Sequence, residues 1–302
     1  MTVFLIPCGL SIRDGLLVKR GAPTDAEFGH QRFNRVLTWA AHARAGRPND
    51  VAASWRQEIG PLLGPDEGVY LTDWNPEVSA ETNTIAHRLS SPSRLLDDGH
   101  RAVLLASDTD AGLASAMLVA THLAQGVERI VHLAVPEFPG QNEWTDEFPR
   151  GTVTVVSVKG MDETADRLRR SVAGLGRVLR VVADQAHANE RIEVHVTGGY
   201  KATVLYLMTM TEVLASTRDP GLVEAWYLHE DGDQAVRIEL RRLSEEHVSR
   251  LRQALTEVHN RQPLSPDLEV FRTAGLTHGD RLTPFGAGFL AVLGERVSYV
   301  DI

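Results

Sequence analysis

The sequence predicts an α/β protein, with a mostly parallel sheet over residues 1–243 and a small winged-helix-like module over residues 244–302. Three observations carry that reading. Short β-branched, apolar runs recur along the first 240 residues. Helix-period segments lie between most of them, and this alternation builds parallel sheets flanked by helices. Near Leu243 the pattern gives way to one amphipathic helix and a compact tail.

Taken in order, the runs are Val3–Ile6, Val69–Thr72, Ala102–Ala106, Ile130–Val135, Val153–Val158, Ile192–Val196, Val223–Leu228 and Ala235–Leu240. The last two are separated by Glu230-Asp231-Gly232-Asp233 and read as an edge hairpin. Val78-Ser79-Ala80-Glu81-Thr82-Asn83 reads as a helix start. Ala111–Leu123 and Ala202–Leu214 are apolar nearly all round, the pattern of helices buried under a sheet or in a subunit interface. Met161–Ala188 places Leu168, Val172, Leu175, Leu179 and Val182 on one helical stripe. Glu137–Arg150 is rich in Pro and acids and holds Trp144 and Phe148, so it reads as a lid or a partner contact. Ser244–Asn260 reads as a helix capped by Ser244, with Glu245 and Glu246 in its first turn. The tail ends in a polar turn followed by Leu282-Thr283, which caps a short helix.

A formal net charge of −9 argues against a general nucleic-acid or membrane surface. Cys8 is the only cysteine, which excludes a disulfide framework and a cysteine-based zinc site. The first residues lack the basic region and apolar core of a signal peptide, and no window has the apolar length of a membrane span. The expected compartment is the cytoplasm.

The most informative stretch is Thr197-Gly198-Gly199-Tyr200-Lys201. It falls where a strand ends and a helix begins. Two glycines allow backbone N–H groups to approach a ligand, and the helix N-terminus favours anions. Lys occurs only at 19, 159 and 201 among 31 cationic residues, so a lysine kept here suggests that a compact ammonium is wanted. The turn lacks P-loop spacing. Two further loops belong on the same sheet edge: Gly9-Leu10-Ser11 after the first strand, and Ser107-Asp108-Thr109-Asp110 after the third run. Each alone is explained by helix capping. Their recurrence on one edge points to a ligand.

These motifs resemble CRISPR-associated Rossmann-fold (CARF) sensor domains. The resemblance rests on Ser79–Asn83, Ser107–Gly112 and Thr197–Ala202, in that order, and covers roughly residues 1–240. Gly9-Leu10-Ser11 departs from the family's Gly-Thr-Ser turn at Leu10. The resemblance implies a Rossmann-like sheet, a symmetric homodimer, and a cyclic oligoadenylate bound across the two-fold axis. Cyclic tetra-adenylate is the commonest ring in such proteins. The implied ligand-binding set is Gly9, Leu10, Ser11, Glu81, Ser107, Asp108, Thr109, Thr197, Gly198, Gly199, Tyr200 and Lys201. Members that cut the ring need no metal or cofactor, and the resemblance places Lys201 and Ser11 in the catalytic roles.

The C-terminal part separates the rival activities. Arg242…His247 and Arg252…His259 have the spacing of a HEPN ribonuclease motif, but such pairs arise by chance in this composition, and the tail is short for an effector domain. Residues 245–302 hold six Arg, no Lys and eight acids, a net −2 that argues against DNA binding. A ligand-sensing transcriptional regulator or non-catalytic sensor is the alternative to a ring nuclease.

Overall fold

The computed structural model describes residues 1–9, 12, 23–46, 50–63, 79–89, 99–135, 147–161, 165–198, 201–229 and 234–294. The expected strand Val69–Thr72 and the hairpin turn 230–233 lie outside them.

The strands are β1 (Thr2–Pro7), β2 (Arg101–Ser107), β3 (Ile130–Ala134), β4 (Val153–Val158), β5 (Arg191–His195), β6 (Val223–Tyr227) and β7 (Val236–Ile238). They form one sheet in the order β3-β4-β2-β1-β5-β6-β7. β1 to β6 are parallel and β7 pairs antiparallel with β6, so the expected edge hairpin is present and the fold is Rossmann-like α/β. Every residue of β1 is buried, as in a parallel strand covered on both faces. Its alternation sorts the core. Phe4 and Ile6 join a cluster on one face, and Val3 and Leu5 join a second cluster on the other.

The first face is covered by α1 (Pro23–Arg44), α2 (Val51–Ser54), α3 (Ala80–Arg88) and α4 (Asp110–Ala124). α2 continues as a π-helical turn, Trp55–Ile59, and a 3-10 turn, Gly60–Leu63. The sequence reading did not identify α1 or α2. Their two tryptophans are buried, edge to face at 4.7 Å. Each indole finds a partner: Trp39 Nε1 donates to Ser54 Oγ (2.8 Å) and Trp55 Nε1 to Thr121 Oγ1 (3.1 Å). α4 is buried from Gly112 to Leu123 within the subunit, so its all-round apolarity is used up by the sheet and α1.

α5 (Ala165–Gln185) and α6 (Lys201–Ser216) cover the second face. The C-terminal elements are α7 (Glu245–His259), α8 (Val270–Thr273), a two-residue-per-strand hairpin of β8 (Thr277–His278) and β9 (Arg281–Leu282), and α9 (Pro284–Val292). Ser244 and Thr283 cap α7 and α9 as expected, accepting from His247 N and Gly286 N. α7 and α9 feed Val248, Leu251, Leu255, Phe289 and Leu290 into the same apolar cluster as α5 and α6. α9 lies so close that a Cβ at Gly176 of α5 would overlap the Gly288 carbonyl, and one at Gly288 would overlap the Met210 methyl of α6.

One expectation needs correction. Phe148 does not belong to a lid. It is buried in the second cluster, its N–H donating to Gln185 Oε1 (2.7 Å) and its carbonyl accepting from Arg101 Nη1 (2.7 Å). Residues 137–146 of that loop lie outside the described residues.

The Gly176–Gly288 contact gives a test. Gly176→Ala should lower stability by about 1–3 kcal/mol through overpacking, outweighing the roughly 1 kcal/mol that alanine adds to a helix. A thermal melt reads the result, and an unchanged or raised Tm would show that α9 is not held at this distance.

Candidate functional site

β1 lies between β2 and β5, so the chain winds outward from β1 in two directions. This is the switch point at which open α/β sheets bind ligands, beyond the carboxyl ends of the strands. The loops after β1, β2 and β5 therefore emerge side by side. Cys8 N donates to Leu105 O (2.9 Å), fixing the first loop against the second strand.

α3 ties the first loop to the third. Its N-terminus carries a capping box in which Ser79 Oγ accepts from Thr82 N (3.1 Å) and Thr82 Oγ1 accepts from Ser79 N (3.2 Å). Glu81 follows in the first turn, where the helix dipole favours a negative charge. Only 1% of Glu81 is exposed. Its Oε1 accepts from Gly9 N at 2.7 Å, and a Cβ at Gly198 would overlap that carboxylate. Glu81 thus lies beneath two of the expected ligand loops and braces them. Cys8 is buried here too. Burial, and secondarily the charge of Glu81, hold its thiol well above the usual range, so it is not a nucleophile.

The far end of α3 is bolted to β5. Arg88 donates to both oxygens of buried Glu193 (3.0 and 2.8 Å) and stacks 3.8 Å above the Trp226 ring. Burial alone would raise the Glu193 carboxyl, but hydrogen bonds and charge from His195 and Arg88 outweigh it and bring its pKa down to about 2. His195 is 1% exposed, and burial lowers its pKa despite Glu193 at 3.5 Å. With His195 uncharged near neutrality, Arg88 is the effective partner.

The β2 loop is internally bonded. Ser107 Oγ lies 2.9 Å from Thr109 Oγ1, and Thr109 caps α4 by accepting from Gly112 N (3.0 Å). Asp108 Oδ1 accepts from Gly160 N (3.2 Å), reaching the loop after β4. Ser107, Asp108 and Thr109 remain half-buried. Thr197 Oγ1 accepts from Leu228 N (2.8 Å), and Gly198 is half-buried beside it. α6 begins at Lys201 on this edge, though only its backbone there is described. Leu10, Ser11, Gly199 and Tyr200 lie outside the described residues. Among the described residues, no group of three or more His, Cys, Asp or Glu is arranged to hold a metal ion, and no helix is long and apolar enough to cross a membrane.

Fold and edge together define an open α/β protein of the switch-point class. More specifically, the chain belongs to the CRISPR-associated protein family Cas_APE2256, whose model matches residues 76–240, more than half its length. The matched span begins just before Ser79 and runs through β7, which leaves β1 and the Gly9 loop outside it. None of the curated proteins matches the chain.

Sequence reasoning missed a second feature nearby. A cavity beside β3 and β4 is lined by Arg44, Arg56, His132, Ser157 and Lys159, and it touches Asp108. Only Lys159 carried a signal, as one of the chain's three lysines.

The bracing by Glu81 predicts coupling. Gly198→Ala should cost about 1–3 kcal/mol in stability, and the cost should shrink in a Glu81→Ala background, giving an interaction energy of at least about 0.5 kcal/mol. Additive losses in a denaturation cycle would show that the two residues do not press on one another.

The pKa shifts predict acid sensitivity. His132 is held at about 4 by burial, against the opposing charge of Asp50, and His195 is also lowered. The unfolded chain takes up these protons from about pH 6.5 while the folded chain refuses them. Stability should therefore fall as pH drops from 6.5 toward 4, by roughly 3 kcal/mol at most for His132. The Glu193 contribution is present above about 4.5 and is lost as pH falls through about 2. In urea melts His132→Gln should flatten the limb between pH 6.5 and 4, and an unchanged limb would overturn the assignment.

Proposed function

We propose that the protein binds a cyclic oligoadenylate, cyclic tetra-adenylate first among them, across the carboxyl edge of β2, β1 and β5, and cleaves it as a ring nuclease. The observation that carries this reading is the convergence of three ligand-suited loops on adjacent strands at the switch point, with α6 starting there at Lys201. Membership of a CRISPR-associated family fits a messenger of antiviral signalling.

In this reading the ring works as its own nucleophile source. A ribose 2′-OH attacks the neighbouring phosphorus. The new O2′–P bond forms as the P–O5′ bond breaks, leaving a 2′,3′-cyclic phosphate and a 5′-OH. The 2′ proton is passed on to the departing 5′ oxygen. The protein holds the hydroxyl in line and answers the charge that grows on the phosphate oxygens. Lys201 supplies that charge, Ser11 positions the phosphate, and the N–H groups of Gly198 and Gly199 approach it. Ser107, Asp108 and Thr109 serve the adenines. Glu81 is a positioning residue that acts through Gly9 and Gly198.

A cyclic, evenly symmetric ligand suits a homodimer in which each subunit presents the same loops. α6 supplies a surface for it: Leu205, one turn from Lys201, is 72% exposed. Light scattering at micromolar concentration should give a dimer.

The decisive assay incubates the protein with cyclic tetra- and hexa-adenylate in EDTA and resolves the products by chromatography. Cleavage should proceed without added metal. Lys201→Ala should slow it about 10²–10³-fold while weakening binding less, because the charge is larger in the transition state. Ser11→Ala should lose less, and Gly199→Val should abolish binding. A ring bound but intact after hours would favour a sensor, and normal binding by Gly199→Val would displace the site.

A further inference from the structure

The C-terminal end of α3 lands on a polar stretch of the sheet. β5 and β6 pair with Glu193 opposite Glu224 and His195 opposite Trp226, and Arg237 of β7 stands opposite Trp226. Strand alternation puts these side chains on one face. Glu193 and Glu224 are buried, 2% and 6% exposed. Like charges directly opposite one another weaken a sheet, and a buried charge left without a partner is strongly destabilising. The two carboxylates therefore need cations. Arg237 supplies one from the outer strand, 3.4 Å from Glu224 Oε1. Arg88 supplies the other. His195 adds no charge near neutrality, because burial lowers its pKa.

The fit around Arg88 is that of a guanidinium and not of a cation in general. Its Nε and Nη2 donate to Glu193 Oε2 and Oε1, at 3.0 and 2.8 Å, a two-pronged match that needs the planar fork. Its central carbon lies 3.8 Å from the centroid of the Trp226 ring. Trp226 is held in turn, its Nε1 donating to Glu224 Oε2 at 3.2 Å. The hydrogen bonds to Glu193, and the charges of Glu193 and Glu224, raise the Arg88 pKa against the cost of its burial. An ammonium at this position would keep the charge and lose both the fork and the stacking.

Arg88 is also connected to the ligand edge. Glu81 and Arg88 belong to the same helix, two turns and about 10 Å apart, and so share one of its faces. At one end Glu81 takes the Gly9 N–H and abuts Gly198, and at the other Arg88 is held by β5 and β6. We propose that Glu193, Trp226 and Glu224 form a guanidinium socket, and that Arg88 seated in it is a positioning residue for the ring-binding edge. Through α3 and Glu81 it sets the spacing of the loops after β1 and β5. The spacing stands on its own geometry, and its consequence for cleavage rests on the ring-nuclease reading.

Two variants test the proposal. Arg88→Lys keeps a charge for Glu193, so the fold is spared the cost of an unpaired carboxylate. Exchange of the Gly9 amide, followed by NMR, should quicken at least about tenfold, with the Leu104 amide in the middle of β2 unchanged. The kcat for cyclic tetra-adenylate should fall about tenfold or more, the scale of a small misplacement, with a lesser change in KM. That loss should vanish in a Glu81→Ala background, where the link to the loops is already cut. Arg88→Ala empties the socket. Ethylguanidinium, compared with equal sodium chloride, should restore its Tm by refilling the socket, but neither Gly9 protection nor cleavage, because the added ion is not tethered to α3. A merely structural role predicts that all three recover together, and that result overturns the proposal. Unchanged Gly9 exchange in both variants also overturns it, as does faster Gly9 exchange with unimpaired cleavage. If the wild-type protein leaves the ring intact, the ring-nuclease reading fails, and Gly9 exchange alone decides the socket.

Discussion

A carboxylate with 1% of its surface exposed sets the shape of the sheet edge. Glu81 takes the N–H of Gly9 and fills the space that a side chain at Gly198 would need. The loops after β1 and β5 are therefore registered to each other through a helix as well as through strand pairing. Burying a charge is costly unless it is bonded, and a buried charge left alone by mutation destabilises by several kcal/mol. The protein offsets that cost with a capped helix N-terminus and a backbone donor. Arg88 and Glu193 then fix the other end of α3, so that the brace cannot pivot. Precision at the edge follows from two polar anchors at the ends of one nine-residue helix.

Much of the fold was legible because parallel sheets write themselves plainly. Strands covered on both faces become continuous apolar runs, and β1, β2 and β4 read that way. α4 and α6 were equally plain as buried helices, but their apolar circumference could not say what buries them. α4 turns out to be enclosed within its own subunit, whereas α6 keeps Leu205 outside. α1 and α2 were not legible, because their core positions include tryptophans whose indoles need distant hydroxyls, Ser54 and Thr121, which sequence spacing does not reveal. Phe148 misled for a similar reason. It sits in a polar, Pro-rich stretch, yet Arg101 and Gln185 hold its backbone and its ring is buried.

The edge residues show the same limit. Residue types in Ser107–Thr109 and Thr197–Lys201, with hydroxyls, glycines and one lysine where strands end, gave only the expectation of a ligand edge. Spacing alone could not tell which of them face outward. Glu81 was grouped with the ligand residues by its motif, whereas its carboxylate lies under the loops. Its role is visible only once β1 and β5 are known to be neighbours. His132 and Ser157 were invisible as a pair because they stand on different strands and meet only through the β3–β4 register, two positions apart on the ladder.

The C-terminal elements bear on the edge through packing rather than through direct contact. α9 rests on α5 and α6 at glycine distance, and Gly288 faces Met210 on α6. Met210 stands nine residues from Lys201, about 14 Å along the helix at 1.5 Å per residue. A helix so held has few ways to shift along its axis, since close-packed interiors do not deform smoothly. The body of α6 is therefore held by α9 packed against it. The C-terminal elements make this contribution through Leu255, Phe289 and Leu290 inside the core and not through surface charge.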